Sequence, residues 1–184
     1  RRVGAKVHCD AAQSVGKLPV DVAALDVDLL SIAGHKLYAP KGVGALYVRR
    51  GTEISPFVLG GSQEGGLRPG TENVPYIVGL GQACAIAQSR LSGDTQRILS
   101  LRDRLHELLL ARIPNLRLFG HPENRLPNTL TIGFPGVAGH DVLARTTGVV
   151  ASTSAACHAG SAEPSHVLTA MGVAPDDAAR MIRL

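Results

Sequence analysis

Tryptophan is absent from this chain, and phenylalanine and tyrosine contribute only three residues each. So few aromatics leave little with which to stack bases. The arginines behind the net charge of +4 are also scattered, so nucleic-acid binding is not expected. Cysteine is equally scarce. Three residues, an odd number without paired spacing, argue against a disulfide framework and for a reducing, cytoplasmic compartment. No run approaches the roughly 18 consecutive apolar residues of a membrane helix, and no signal peptide is present, so no membrane partner is expected. Neither Cys-x-x-Cys nor His-x-x-x-His spacing occurs, so no metal is expected. Internal repeats and low-complexity tracts are missing too. Arg1 stands where a start methionine would be, and the chain stops inside an apolar pattern at Arg180–Leu184, so it reads as a piece of a longer protein.

With 45% apolar and 18% charged residues, the 184-residue chain has the composition of a soluble globular protein able to bury a core. Its most informative stretch is an apolar run, Asp28–Ala33, that ends in Gly34-His35-Lys36 and passes through a Gly/Pro-rich turn into Ala45–Val48. A buried strand that stops in this way projects a lysine beyond its carboxyl end, where α/β folds bind ligands. Lys36 is thus a candidate to bond covalently to a carbonyl, against the plain alternative of a solvated loop lysine.

In chain order, Lys6–Asp10 reads as a short strand, with Asp10 available to cap a helical turn after it, and Pro19–Asp28 as a brief amphipathic helix. With the strands at 29–33 and 45–48, this gives the βαβ rhythm of a largely parallel sheet. Gly60–Asn73 reads as a shaped loop that can offer N–H groups and a hydroxyl to an anion. A helix over 74–90 buries Ile77, Leu80, Cys84 and Ala87. Ser92-Gly93-Asp94 marks a break. A second helix then carries the stripe Ile98, Leu101, Leu105, Leu108 and Leu109 and stops at Pro114-Asn115. Strands come next at 116–119, 129–134 and 149–151, with helices at 140–146 and 165–171. The chain therefore divides into residues 1–92 and a smaller α/β domain at 93–184. Within the latter, Cys157 lies in a loop of small residues beside His158, accessible and open to partial ionisation.

Taken together, Asp10-Ala11-Ala12-Gln13, Gly34-His35-Lys36, Gly60–Glu64, Arg68–Asn73 and Ala156-Cys157-His158 resemble the cysteine desulfurase and selenocysteine lyase family. That family lies within the class V aminotransferase group of pyridoxal-phosphate enzymes. The resemblance covers the whole chain, in order. It implies the second part of a type I large domain followed by the small C-terminal domain. It also implies pyridoxal 5'-phosphate as cofactor, Lys36 as its covalent anchor and as the base at the substrate Cα, and Asp10 facing the pyridine nitrogen. Gln13 would bond the phenolic oxygen, His35 the phosphate, and Thr71 the phosphate of a neighbouring subunit in a homodimer. Cys157 would be the nucleophile that takes sulfur or selenium from L-cysteine or L-selenocysteine, leaving alanine, and Arg183 would grip the substrate carboxylate. A scaffold protein would accept the sulfur for iron–sulfur clusters or thiolated cofactors.

Two positions depart from the pattern: Ala33 replaces a phosphate-binding serine, and Ser62 stands where a glycine is common. The family's first half supplies a phosphate-binding turn, a stacking histidine and a substrate-binding asparagine, so little activity is expected of this chain alone. His158 and Arg68–Asn73 resemble selenocysteine lyases, whereas the surroundings of Lys36 and Glu163-Pro164-Ser165 resemble bacterial desulfurases. Cysteine desulfurase is the favoured reading. A non-catalytic α/β remnant of such an enzyme is the alternative from a different class.

Overall fold

The computed structural model describes residues 3–153 and 165–184. The chain divides into two compact units, Arg1–Thr95 and Gln96–Leu184.

The first unit is built on a three-stranded sheet in the order β1 (His8–Asp10), β2 (Leu29–Ala33), β3 (Gly44–Val48). β1 and β2 run parallel, with Asp10 opposite Ser31. β2 and β3 are antiparallel, with Ala33 opposite Gly44. The second pairing departs from the parallel arrangement expected, for a simple reason. Only residues 34–43 link the two strands, and a parallel crossover needs a dozen residues or more. Glycine is required at both ends of that link. A Cβ on Gly34 would stand 2.6 Å from the Val43 carbonyl oxygen, and one on Gly44 would stand 2.5 Å from that of Ile32.

Alternation along the strands sends Cys9, Leu30, Ile32 and Tyr47 into the core and leaves His8 and Asp10 exposed on the opposite face. The link from β1 to β2 is made of turns, not of the helix expected over 19–28. Asp21 Oδ1 accepts the N–H groups of Ala23 (2.7 Å) and Ala24 (3.1 Å). The single turn so started ends at Asp26, whose φ of 49° leaves the helical region.

α1 runs unbroken from Val74 to Leu110, through the break expected at Ser92–Asp94. A mid-helix glycine costs about 1 kcal/mol relative to alanine. Gly93 meets nothing in space, and an i,i+4 pair, Arg90 Nε to Asp94 Oδ2 at 3.3 Å, spans it. Leu80, Ala83, Cys84 and Ala87 pack against Leu37 and Ala39 below the sheet. Ile77, expected in that stripe, is instead 44% exposed.

In the second unit, β4 (Arg117–Leu118), β5 (Thr131–Gly133) and β6 (Met181–Arg183) form an antiparallel sheet with β5 in the centre. Leu130, Ile132 and Ile182 are almost wholly buried there. Among the described residues, the unit also holds the last part of α1 and the helices α2 (Gly139–Arg145), α3 (His166–Ala170) and α4 (Pro175–Ala179). Phe119, Leu168, Val173, Ala178 and Met181 form its apolar cluster. The strand expected at 149–151 does not form; a single bridge joins Ser152 to Arg183. α4 and β6 have no counterpart among the elements expected from the sequence. Among the described residues, no helix is long and apolar enough to cross a membrane.

Candidate active site

Two parallel neighbours end at the same edge of the first sheet, and that edge carries most of the predicted residues. β1 ends at Asp10, whose Oδ1 accepts the Ala12 N–H at 3.0 Å. Gln13 comes next in a tight series of turns, exposed to solvent. The Ala11 N–H donates to the Ser31 carbonyl at 3.0 Å, which continues the ladder into the turn. β2 ends at Ala33, and the 3-10 turn Gly34–Leu37 then presents His35, exposed, and Lys36, half-buried.

Several features hold that turn. Gly34 N–H donates to the Val43 carbonyl at 2.9 Å, Leu37 is buried beneath, and Tyr38 closes the turn with φ 63°. A non-glycine residue in that left-handed region is strained by about 1–2 kcal/mol, and such strain gathers where a side chain must be aimed. The buried Leu37 and the reversal at Tyr38 together fix the direction in which Lys36 leaves the sheet.

Ser31 Oγ lies 2.8 Å from His8 Nε2, on the same exposed face of the sheet as Asp10. Thr71 is exposed in the loop before α1. That loop is shaped by Gln63 Oε1, which accepts the Gly70 N–H at 3.1 Å, and by Arg68, which donates to the Gly70 carbonyl at 3.3 Å. Arg183 is half-buried in β6 of the second unit, where it exchanges backbone hydrogen bonds with Ser152 (2.7 and 3.1 Å). Cys157 lies outside the described residues. A cleft of about 280 Å³ in the second unit, lined by Arg117, Phe119, Asp177 and Arg180 among others, contains none of the predicted site residues.

Two residues that the motifs did not reveal matter to the first unit. Asp28, at the start of β2, is 1% exposed. Its Oδ2 accepts the Val7 N–H at 2.9 Å and its Oδ1 lies 3.5 Å from Arg49 Nε. It ties the entry of β1 to β2 and so helps set their register. Lys17 sits in the turns after β1. Partial burial, and then the charge of Lys36, push its ammonium below the ordinary lysine range. Its only sequence signal is its place in Val15-Gly16-Lys17, directly after the Asp10–Gln13 motif.

As a donor set, this edge suits a pyridine aldehyde carrying a phosphate. Such a group would find an amine at Lys36, a carboxylate at Asp10, an amide at Gln13 and an imidazole at His35.

The chain is 50% identical over 172 residues to a cysteine desulfurase of Gluconacetobacter diazotrophicus, which covers 92% of this chain and 43% of that protein. It is 49% identical over 168 residues to the cysteine desulfurase IscS of Methanosarcina thermophila, covering 90% and 41% respectively. It therefore spans less than half the length of these relatives. Among solved structures, a NifS-like protein of Rickettsia africae superposes with a TM-score of 0.88 at 33% identity, over 100% of this chain and 48% of the other. A second NifS-like protein gives 0.84 at 39% identity, over 97% and 46%. The family model for aminotransferase class V matches residues 1–184, from one end of the chain to the other. By sequence and fold, the chain belongs to the class V aminotransferase family.

Proposed function

We propose that the protein is a pyridoxal-phosphate-dependent cysteine desulfurase, which takes sulfur from L-cysteine, releases L-alanine and retains the sulfur as a persulfide on Cys157. The observation that carries this reading is the placement of Asp10 and Lys36 at the carboxyl ends of adjacent parallel strands. The 50% identity to a protein named cysteine desulfurase supports it.

When bound, pyridoxal phosphate supplies an electron sink for charge at the substrate Cα. The chain's own residues do the rest. The Asp10 carboxylate keeps a proton on the ring nitrogen by opposing its positive charge. The Lys36 amine binds the aldehyde carbon, and once released it takes the Cα proton and returns one to the product. Gln13 and His35 orient the group, and Arg183 holds the substrate carboxylate with its two-pronged guanidinium. The Cys157 thiolate attacks the substrate sulfur; a sulfur–sulfur bond forms and the Cβ–S bond breaks, its electron pair staying with the carbon skeleton that becomes alanine. Thr71 reaches the phosphate bound to a second subunit of a homodimer. The first unit belongs to the cofactor domain and the second is the small domain. A scaffold protein in the cytoplasm accepts the sulfur for iron–sulfur clusters or thiolated cofactors.

The test is alanine and sulfide release by the full-length protein, first half included, supplied with pyridoxal phosphate, with L-cysteine and L-selenocysteine compared side by side. Lys36→Ala is expected to abolish release, and Cys157→Ser to abolish sulfur release from cysteine. Undiminished activity in either variant overturns the corresponding role. Faster turnover of selenocysteine than of cysteine replaces the reading with a selenocysteine lyase. A full-length protein that stays colourless with the cofactor added is a remnant.

A further inference from the structure

We propose that the cleft in the second unit is a binding site for a small monocarboxylate with an apolar body: Arg117 and Arg180 take the carboxylate, and Phe119, Phe134 and Pro135 take the apolar part. None of these residues has a part in the proposed desulfurase reaction, and the inference does not depend on that reading.

Three segments of the unit meet around the cleft. β4 supplies Arg117 and, just past its end, Phe119. β5 ends at Gly133 and runs on into Phe134 and Pro135. Asp177 lies in α4, and Arg180 between α4 and β6. Backbone bonds hold the segments together: the Phe119 N–H donates to the Thr131 carbonyl at 2.9 Å, and the Phe134 N–H to the Arg180 carbonyl at 3.2 Å. Arg117 stands opposite Gly133 in the ladder. A Cβ at Gly133 would meet Phe119 Cε2 at 2.8 Å and Cζ at 3.2 Å, so glycine is what lets the ring lie against the strand. The enclosed space, about 280 Å³, is near the lower end of ligand pockets and calls for a small molecule.

The polar side already has the geometry of a carboxylate site, because Asp177 puts a carboxylate there. Its Oδ2 accepts from Arg117 Nη1 at 2.6 Å and its Oδ1 from Arg180 Nη1 at 3.3 Å. No other acidic side chain lines the cleft among the described residues. Two guanidiniums against one carboxylate leave a single positive charge, which suits a monoanion better than a phosphate dianion. Each guanidinium engages Asp177 through one terminal nitrogen, so the forked pairing open to arginine is not used up. Arg117 is also placed by its ring neighbour, with Cζ 5.1 Å over the Phe119 centroid, and such a fork loses little freedom on binding. The Arg117 and Asp177 side chains are well exposed. Their pairing is therefore solvated and weak enough to be exchanged for an incoming anion. The same solvation means that charge alone binds poorly here. Affinity comes from covering the apolar wall, of which Phe134 is half-buried and Pro135 exposed.

The test is calorimetric titration of the full-length protein, first half included, with 3-phenylpropionate as probe. Acetate, 3-phenylpropionamide and inorganic phosphate are the comparisons. The probe is expected to bind about tenfold more tightly than each of them, since each lacks the apolar body or the single charge. Arg117→Ala is expected to weaken probe binding about three- to tenfold. Asp177→Asn, which releases both guanidiniums from their internal partner, is expected to strengthen it by about the same factor. A merely structural ion pair would give losses in both variants, so the opposite signs carry the test. Should Asp177→Asn fail to fold by circular dichroism, Arg180→Gln decides: weaker binding supports the inference and unchanged binding overturns it. Arg183→Met is expected to leave probe binding unchanged, because Arg183 does not line the cleft. No probe binding, phosphate binding as tight as the probe, weaker binding in a folded Asp177→Asn, or loss in Arg183→Met would each overturn the inference and leave the proposed function standing.

Discussion

Replacing Asp28 by alanine isolates the contribution of one buried carboxylate to the register of the first sheet. At 1% exposed, Asp28 has been taken almost completely out of water. Its Oδ2 accepts the Val7 N–H at 2.9 Å. A hydrogen bond to a charged acceptor contributes about 1.5–3 kcal/mol. The Arg49 contact adds less. Its Nε stands 3.5 Å from Asp28 Oδ1, and the guanidinium also holds Asp26 at 2.8 Å and the Val27 carbonyl at 3.0 Å. With its side chain 36% exposed, Arg49 stays solvated and paired when Asp28 is removed, so its loss amounts to about 1 kcal/mol or less. Asp28→Ala is therefore expected to destabilise the protein by about 2–3 kcal/mol. Asp28→Asn, which can still accept the Val7 N–H, should cost about 1 kcal/mol. The measurement is urea unfolding followed by circular dichroism, with the m-value unchanged between variants. A loss below about 0.5 kcal/mol for alanine, or equal losses for alanine and asparagine, would refute the reasoning.

Other expectations arise from the same structure. Ile132, wholly buried at the centre of the second sheet, should lose about 2–5 kcal/mol on replacement by alanine, measured by the same unfolding. Gly16→Ala combines a left-handed φ with a contact at 2.5 Å; it should destabilise by about 2–4 kcal/mol and lower aldehyde capture at Lys36. Arg117→Ala breaks a 2.6 Å pair with Asp177, but both side chains are well exposed, so a change of about 1 kcal/mol at most is expected by thermal melting. The lowered proton affinity of Lys17 has a defined sign. Over the range up to 10.5 the unfolded chain binds more protons at this residue than the folded one, so stability rises with pH. Lys17→Met removes that rise, and the gap in stability between the two proteins should change between pH 7 and 10.5 in favour of wild type.

Much of the candidate site is legible in the sequence because its forces are local. An apolar run closed by Gly34-His35-Lys36 announces a strand end and an outward lysine, and the structure forms that strand over 29–33. The helical stripe at Leu80, Cys84 and Ala87 is equally plain. The remainder depends on context. Ser92-Gly93-Asp94 has the composition of a break, but flanking helix on both sides outweighs one glycine, and α1 continues to Leu110. Val22 and Leu25 mimic an amphipathic helix, but the side chain of Asp21 competes for its first N–H groups and Asp26 turns away. The burial of Asp28 is invisible in composition, since an aspartate before an apolar run reads as a cap. Met181–Arg183 is too short to show a period, and it becomes a strand only because β5 offers an edge.

β2 has strands hydrogen-bonded along both edges, whereas the turn after it is closed by Gly34 N–H on the Val43 carbonyl and by bonds within itself. Amide protons of Leu30 and Ile32 should therefore exchange among the slowest in the first unit, and those of 35–42 several orders of magnitude faster. Lys36 sits a few residues past that boundary. Its turn can open and reclose on its own timescale while the sheet beneath keeps its register, so the side chain at the strand's end can move without the strand itself doing so.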